Sequence, residues 1–259
     1  MHRRILIIDD HDDLATALEE VFTEQGHKVV LMETRADAME VTNFEQFDLV
    51  ITDLDVQSLR SPQPNGSVPR TDVEHVKAFK VSAANFTRSE FDESELKDIV
   101  ATVLDYKLRH IDQRDSIQDL HEHIEFEVPS AISLMHIVLE YLMKRVEKLG
   151  VVKAEQSNLF VALDEAFVNA VKHGNKFDAK KLVRIIAEVS SAEARFTIED
   201  EGEGFDVNSI PDPLDPTNLF KTSGRGVLFI YNIMDEVKYN ERGNRLTMIK
   251  KRSDAERTV

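Results

Sequence analysis

Residues 159–176 read LFVALDEAFVNAVKHGNK, and the reading of this stretch decides the fold of the C-terminal half. Phe160, Leu163, Phe167 and Ala170 recur at three- and four-residue steps, which defines one apolar helix face, and Gly174-Asn175 stops the helix. Glu165, Asn169 and Lys172 fall together on the opposite stripe. A carboxylate, an amide and an ammonium in a row are either a solvated surface or a general base, a Mg²⁺ ligand and a phosphate contact. The next 60 residues or so favour the second reading. Ala194–Asp200 alternates as a strand with Phe196, Ile198 and Asp200 on one face, so Asp200 is an inward acceptor suited to an exocyclic amine. Gly202-x-Gly204-Phe205 follows directly. A loop with Pro211, Pro213 and Pro216 leads to Ser223-Gly224-Arg225-Gly226-Val227, where a new helix begins. Backbone amides free of Cβ obstruction at a helix start can cradle phosphates. Each motif alone is weak; their order and closeness bind them into one site.

Working outward, the chain has 259 residues, enough for about two domains. Its 48 acidic against 32 basic residues give a net charge of -16, which disfavours a nucleic-acid-binding surface. There is no cysteine, so disulfides, thiolate metal sites and a Cys nucleophile are excluded. In MHRRILIIDD only four apolar residues, Ile5 to Ile8, separate the basic residues from the two aspartates, too few for a signal-peptide core, and no stretch approaches the roughly 18 apolar residues of a membrane span. A cytoplasmic protein without a membrane partner is expected. Residues 1–107 hold 22 acids and 11 bases, so the acidic excess lies mostly there.

Ile5–Ile8 reads as a buried strand ending in Asp9-Asp10. Leu14, Leu18, Val21 and Phe22 follow at helical spacing until Gly26. Val29–Met32 is a second strand, Ala36–Val41 a short helix, and Leu49–Thr52 a third strand that delivers Asp53. This alternation predicts a parallel sheet with Asp9, Asp10 and Asp53 meeting at its carboxyl edge. Such a cluster is either neutralised by a hard cation such as Mg²⁺ or consists of solvated loop acids. Gln57–Thr71 is a proline-bearing loop. From Glu93 the stripe Leu96, Ile99, Val100, Val103, Leu104 and Leu108 predicts a last helix that extends through 108–121 as a stiff connector.

Residues 1–107 resemble the receiver domain of two-component response regulators, with the acid pair at Asp9 and Asp10 and the phosphoacceptor at Asp53 in DLVITDLD. The resemblance implies that Asp53 takes a phosphoryl group from an upstream histidine kinase or phosphotransfer protein. It also implies that Asp55 lends a carbonyl to Mg²⁺ and that Ser82 is the switch hydroxyl. Two departures stand out. About one βα unit is missing, and the family's Lys-Pro pair is replaced by Arg88-Ser89, with Lys80 a substitute under another alignment.

Residues 122–259 resemble the GHKL ATPases, and within them the bacterial anti-sigma factor serine kinases. LFVALDEAFVNAVKHGNK matches the first box, IEDEGEGFD the second and SGRGVLFIYNIMDEV the third. The implied fold is therefore a two-domain α/β chain, with a flavodoxin-like receiver followed by a GHKL α/β sandwich. By resemblance Asp200 holds the adenine amine, Asn169 ligates the Mg²⁺ of ATP, and Gly202, Gly204, Gly224 and Gly226 let the backbone approach the nucleotide. Glu165 is the general base, and Arg225 a further phosphate contact. Asn244 stands where the family has a Thr. The implied activity is a receiver-controlled serine/threonine kinase that phosphorylates a STAS-type anti-sigma antagonist and sequesters a sigma factor, as a homodimer. The alternatives are a nucleotide-binding sequestration module with little kinase activity and an unorthodox histidine kinase.

Overall fold

The apolar run Ile5–Ile8 forms the heart of strand β1 (Arg4–Asp9), which pairs in parallel with β2 (Lys28–Met32) and β3 (Leu49–Leu59). Both faces of β1 are covered, as a continuous apolar strand requires. Ile5 and Ile7 join the main core with Leu14, Leu18 and Phe22 of helix α1 (Asp13–Glu24), while Leu6 and Ile8 pack on Phe47 on the other side. This computed structural model describes residues 2–11, 13–34, 44–59, 73–86, 91–114, 120–153, 158–207 and 225–252. The helix expected over Ala36–Val41 lies outside them.

Beyond Asp53 the fold departs from the all-parallel expectation. β3 continues to Leu59, and β4 (Val73–Ser82) runs antiparallel to it, with Asp53 opposite Phe79. A parallel return would need a crossover connection of a dozen or more residues, usually helical. The antiparallel return also relocates Ser82. It pairs with Val50, three residues before Asp53, or roughly 10 Å along the strand. Its hydroxyl donates to Glu127 Oε2 at 3.0 Å, so the structure does not support Ser82 as the hydroxyl that senses Asp53. Lys80 likewise faces Glu125 at 2.9 Å rather than Asp53.

Helix α2 (Glu93–Tyr106) starts where Asp92 Oδ1 accepts from the Ser94 and Glu95 amides, a side-chain cap. Its stripe Leu96, Ile99, Val100, Val103 and Leu104 is buried in the core instead of lining a free rod. The helix then loosens into a π-turn (Lys107–Ile111) and a 3₁₀ turn (Asp112–Arg114).

Strand β5 (His121–Pro129) pairs in parallel with β4 on one side and antiparallel with β6 (Leu182–Val189) on the other. The sheet continues through β7 (Glu193–Asp200) and β9 (Arg245–Lys251) to β8 (Glu236–Tyr239). The strands thus form one nine-stranded sheet in the order β2-β1-β3-β4-β5-β6-β7-β9-β8. Helices α3 (Ile132–Lys148), α4 (Leu159–Asn169) and α5 (Arg225–Ile233) belong to the C-terminal half. In α3, Leu134, Val138, Leu139, Leu142 and Val146 are fully buried. Each contributes roughly 1.5–3 kcal/mol of transfer free energy, so docking on the sheet holds the helix more than its intrinsic propensity does.

Candidate functional site

Helix α4 and the sheet enclose a cavity of about 290 Å³. Ala166, Asn169 and His173 line it from the helix side, Ile198 and Asp200 from β7, and Tyr239, Asn244 and Leu246 from β8, β9 and their turn. The floor is apolar and the polar groups are few, as in sites that seat a flat ring and fix its orientation.

Asp200 ends β7, half-buried, and burial pushes its carboxyl up from the usual range. The Gly202 amide donates to Asp200 Oδ1 at 2.8 Å, while Oδ2 has no protein donor among the described residues. That second oxygen is an acceptor offered to the cavity. The buried Asn175 fixes the turn: its amide donates to Ser130 and to the Leu182 carbonyl, and its oxygen accepts from the Glu201 amide at 2.8 Å. Three glycines permit this close approach. A Cβ on Gly174 would strike the Asp200 carboxylate, and one on Gly202 the Gly174 carbonyl. Gly204 has φ +78, and its Cβ would strike the Arg242 carbonyl. Gly204→Ala is therefore expected to cost about 1–3 kcal/mol in urea unfolding, from both backbone strain and the collision. An unchanged midpoint would show that the turn relaxes freely.

On α4, Glu165 and Asn169 share one stripe as expected, and neither side chain has a hydrogen-bond partner among the described residues. Glu165 packs directly against Gly226 at the start of α5, where any Cβ would overlap its carboxylate. The helix start thus reaches a free carboxylate because residue 226 is glycine. Lys172 does not join the site. The helix widens into a π-turn over Ala170–Gly174, which leaves Lys172 exposed and sets His173 on the cavity wall. Gly224 and the Arg225 side chain lie outside the described residues; the Arg225 backbone opens α5.

Three cavity residues escaped the sequence reading. His173 is unremarkable without the π-turn. Tyr239 is half-exposed on a short strand, and burial pushes its phenol up to about 12. Asn244 was visible only as a departure from a Thr. Its carbonyl accepts the Asp200 amide at 3.0 Å and its Nδ2 donates to the Asp200 carbonyl at 2.7 Å, so it buttresses the key carboxylate.

A second group of acids lies where the carboxyl end of β1 meets the middle of β3, with Asp9 and Asp53 as register partners. Asp9, Asp10, Asp53 and Asp55 line one small pocket, as expected. At least one oxygen of each is already engaged. Asp9 caps α1 by accepting from the Leu14 and Ala15 amides, Asp10 accepts from the Asp55 amide, and Asp55 meets His11 Nε2 at 2.8 Å. Among the described residues no three His, Asp or Glu side chains are arranged to hold a metal ion. The cation at Asp53 is an ammonium, Lys107 Nζ, 2.7 Å from Asp53 Oδ2. Burial pushes the Asp53 carboxyl up to about 6, against the pull of Lys107. Lys80 does not supply this ammonium, and Arg88-Ser89 lies outside the described residues. The signal for it was a lone Lys four residues after Val103, on the core-facing stripe.

Fold and sites together define the class: a receiver-type sheet continued into a histidine kinase-like ATPase fold. Residues 5–61 match the response regulator receiver domain and residues 128–250 the histidine kinase-like ATPase domain. The serine-protein kinase RsbW of Staphylococcus epidermidis is 27% identical over 142 residues, which cover 52% of this chain and 89% of that protein. The serine-protein kinase RsbW of Staphylococcus aureus is 25% identical over the same length and the same shares. The chain is a receiver domain fused to a GHKL-type ATPase domain homologous to these serine-protein kinases. Among the described residues no helix is long and apolar enough to cross a membrane.

Proposed function

We propose that this chain is a receiver-controlled, ATP-dependent serine/threonine kinase of the anti-sigma type. It would phosphorylate a serine of a small STAS-type antagonist and sequester a sigma factor in the antagonist's absence. The observation that carries the reading is the pairing of a cavity acceptor, Asp200 Oδ2, with a free carboxylate, Glu165, at the start of a glycine-opened helix. The donor set fits Mg-ATP: an adenine amine for Asp200, an amide ligand for the metal in Asn169, and helix amides for the phosphates. Mg-ATP would supply the γ-phosphoryl group, with the metal neutralising its oxygens. Asp200 would orient the adenine through its fixed carboxylate, and the absence of a Cβ at Gly226, which brings the start of α5 against Glu165, would leave its amides open to the phosphates. Glu165 Oε would accept the proton of the incoming serine hydroxyl as the serine oxygen bonds to the γ-phosphorus, whose bond to the departing ADP oxygen breaks.

In the N-terminal half, Asp53 would accept a phosphoryl group from an upstream histidine kinase or phosphotransfer protein. The boundaries 1–107, 108–121 and 122–259, and a homodimeric assembly, are part of this proposal. The test is incubation with γ-labelled ATP and a STAS-type antagonist. Acid-stable label on an antagonist serine is expected. Acid-labile label on the chain itself, with none on the antagonist, would replace this reading with a histidine kinase.

A further inference from the structure

Behind Asp53 the structure holds a row of alternating charges that neither site uses. Lys107 Nζ, already bonded to Asp53, lies 3.2 Å from Asp112 Oδ1. Asp112 Oδ2 receives the Tyr141 hydroxyl at 3.3 Å and lies 3.3 Å from Arg145 Nη1. Arg145 in turn grips Glu122 of β5 through Nε at 3.0 Å and through Nη2. Lys107, Asp112, Arg145 and Glu122 are all buried. The row starts at the acid pocket and ends on α3 and β5, which belong to the ATPase half.

We infer that Asp53, Lys107, Asp112, Arg145 and Glu122 form a buried charge relay that couples the state of the Asp53 site to helix α3, and through it to the nucleotide site. This rests on the reading of that cavity as an ATP site. Three features make the row a coupling element. It is removed from water, so its charges are poorly screened and sense one another strongly. Lys107 is shared unequally, because Asp112 Oδ1 is buried and close to the ammonium yet lacks an aligned hydrogen bond. A phosphoryl group on Asp53 would hold the ammonium more firmly, whereas a neutral Asp53 would release it to Asp112. In the second case Asp112 relies less on Arg145 and Tyr141, both carried by α3. Finally, α3 packs on α4, with His136 against Phe160 at 5.9 Å, and α4 carries Glu165 and Asn169.

A coupling claim needs a thermodynamic cycle rather than spatial continuity. Full-length wild type, Asp53→Asn, Asp112→Asn and the double variant would be titrated with Mg-trinitrophenyl-ATP. Asp53→Asn is expected to shift the wild-type Kd by about 5-fold or more, and by under about 2-fold in the Asp112→Asn background. Equal shifts in both backgrounds, or no shift in either, would overturn the relay. Should Asp112→Asn fail to fold, Tyr141→Phe keeps the ring, loses one hydrogen bond, and should reduce the shift. In parallel, urea unfolding of Asp53→Asn, Glu122→Gln and their combination should be non-additive, because these groups are the two ends of the row. Additivity would overturn the relay without any reference to nucleotide. Failure of the wild type to bind the analogue, with non-additive unfolding, would sink the ATP-site reading alone.

Discussion

Glu165→Gln is expected to lower the rate of phosphotransfer about 10²–10⁴-fold while ATP affinity changes by less than about threefold. The substitution keeps the shape of the side chain, so the contact with Gly226 at the start of α5 is preserved. What it removes is the ability to take a proton from the serine hydroxyl. Phosphoryl transfer otherwise depends on positioning and charge neutralisation, which an amide leaves in place. The loss should therefore fall on kcat and not on binding, and single-turnover kinetics with a parallel titration separate the two. Retained transfer would remove Glu165 from the role of base. A matched loss of binding would make it a structural residue.

Asp200→Asn is expected to weaken ATP binding by about 100-fold or more, the second large effect. The Gly202 amide donates to Asp200 Oδ1 and would keep an oxygen there in the variant. The new amide nitrogen is then turned into the cavity, where it faces the adenine amine donor to donor. Losing a charge-assisted hydrogen bond costs about 1.5–3 kcal/mol, and the unpaired donors add to it, which together reach two decades in Kd. Calorimetric titration checks this. The fold should survive, since Asn244 Nδ2 bonds to the backbone carbonyl of residue 200 and not to its side chain. Binding at wild-type strength would place the adenine elsewhere.

Much of the C-terminal half was legible because its signals are local. The three- and four-residue spacing in 159–170 and the alternation in 194–200 report burial directly, and both elements occur where those periods place them. Asp200 could be read because an acid at the inward end of a strand is costly without a ligand or a donor. The spacing of Glu165, Asn169 and Lys172 puts all three on one stripe only in a regular helix, and the π-turn over Ala170–Gly174 breaks that regularity before Lys172. The N-terminal half was legible as far as β3. After Asp53, strand direction depends on pairing with β4 and β5, which are distant in sequence, and no local period records whether a return is parallel. The antiparallel return carries Ser82 to Glu127 instead of to Asp53 for that reason. Lys107 was missed because its partners are supplied by the tertiary fold: Asp53 lies 54 residues away in sequence. The single sheet joining the halves was hidden likewise, since β4 and β5 are ordinary strands until they pair.

The central claim is that the N-terminal site governs phosphotransfer at the C-terminal one. The most direct measurement is the initial rate of label transfer from ATP to a STAS-type antagonist serine by the full chain, before and after treatment with a phosphohistidine donor protein. The account predicts that the rate changes several-fold once Asp53 carries the phosphoryl group, and that Asp53→Asn abolishes the response. An identical rate with Asp53 shown to be phosphorylated would contradict it.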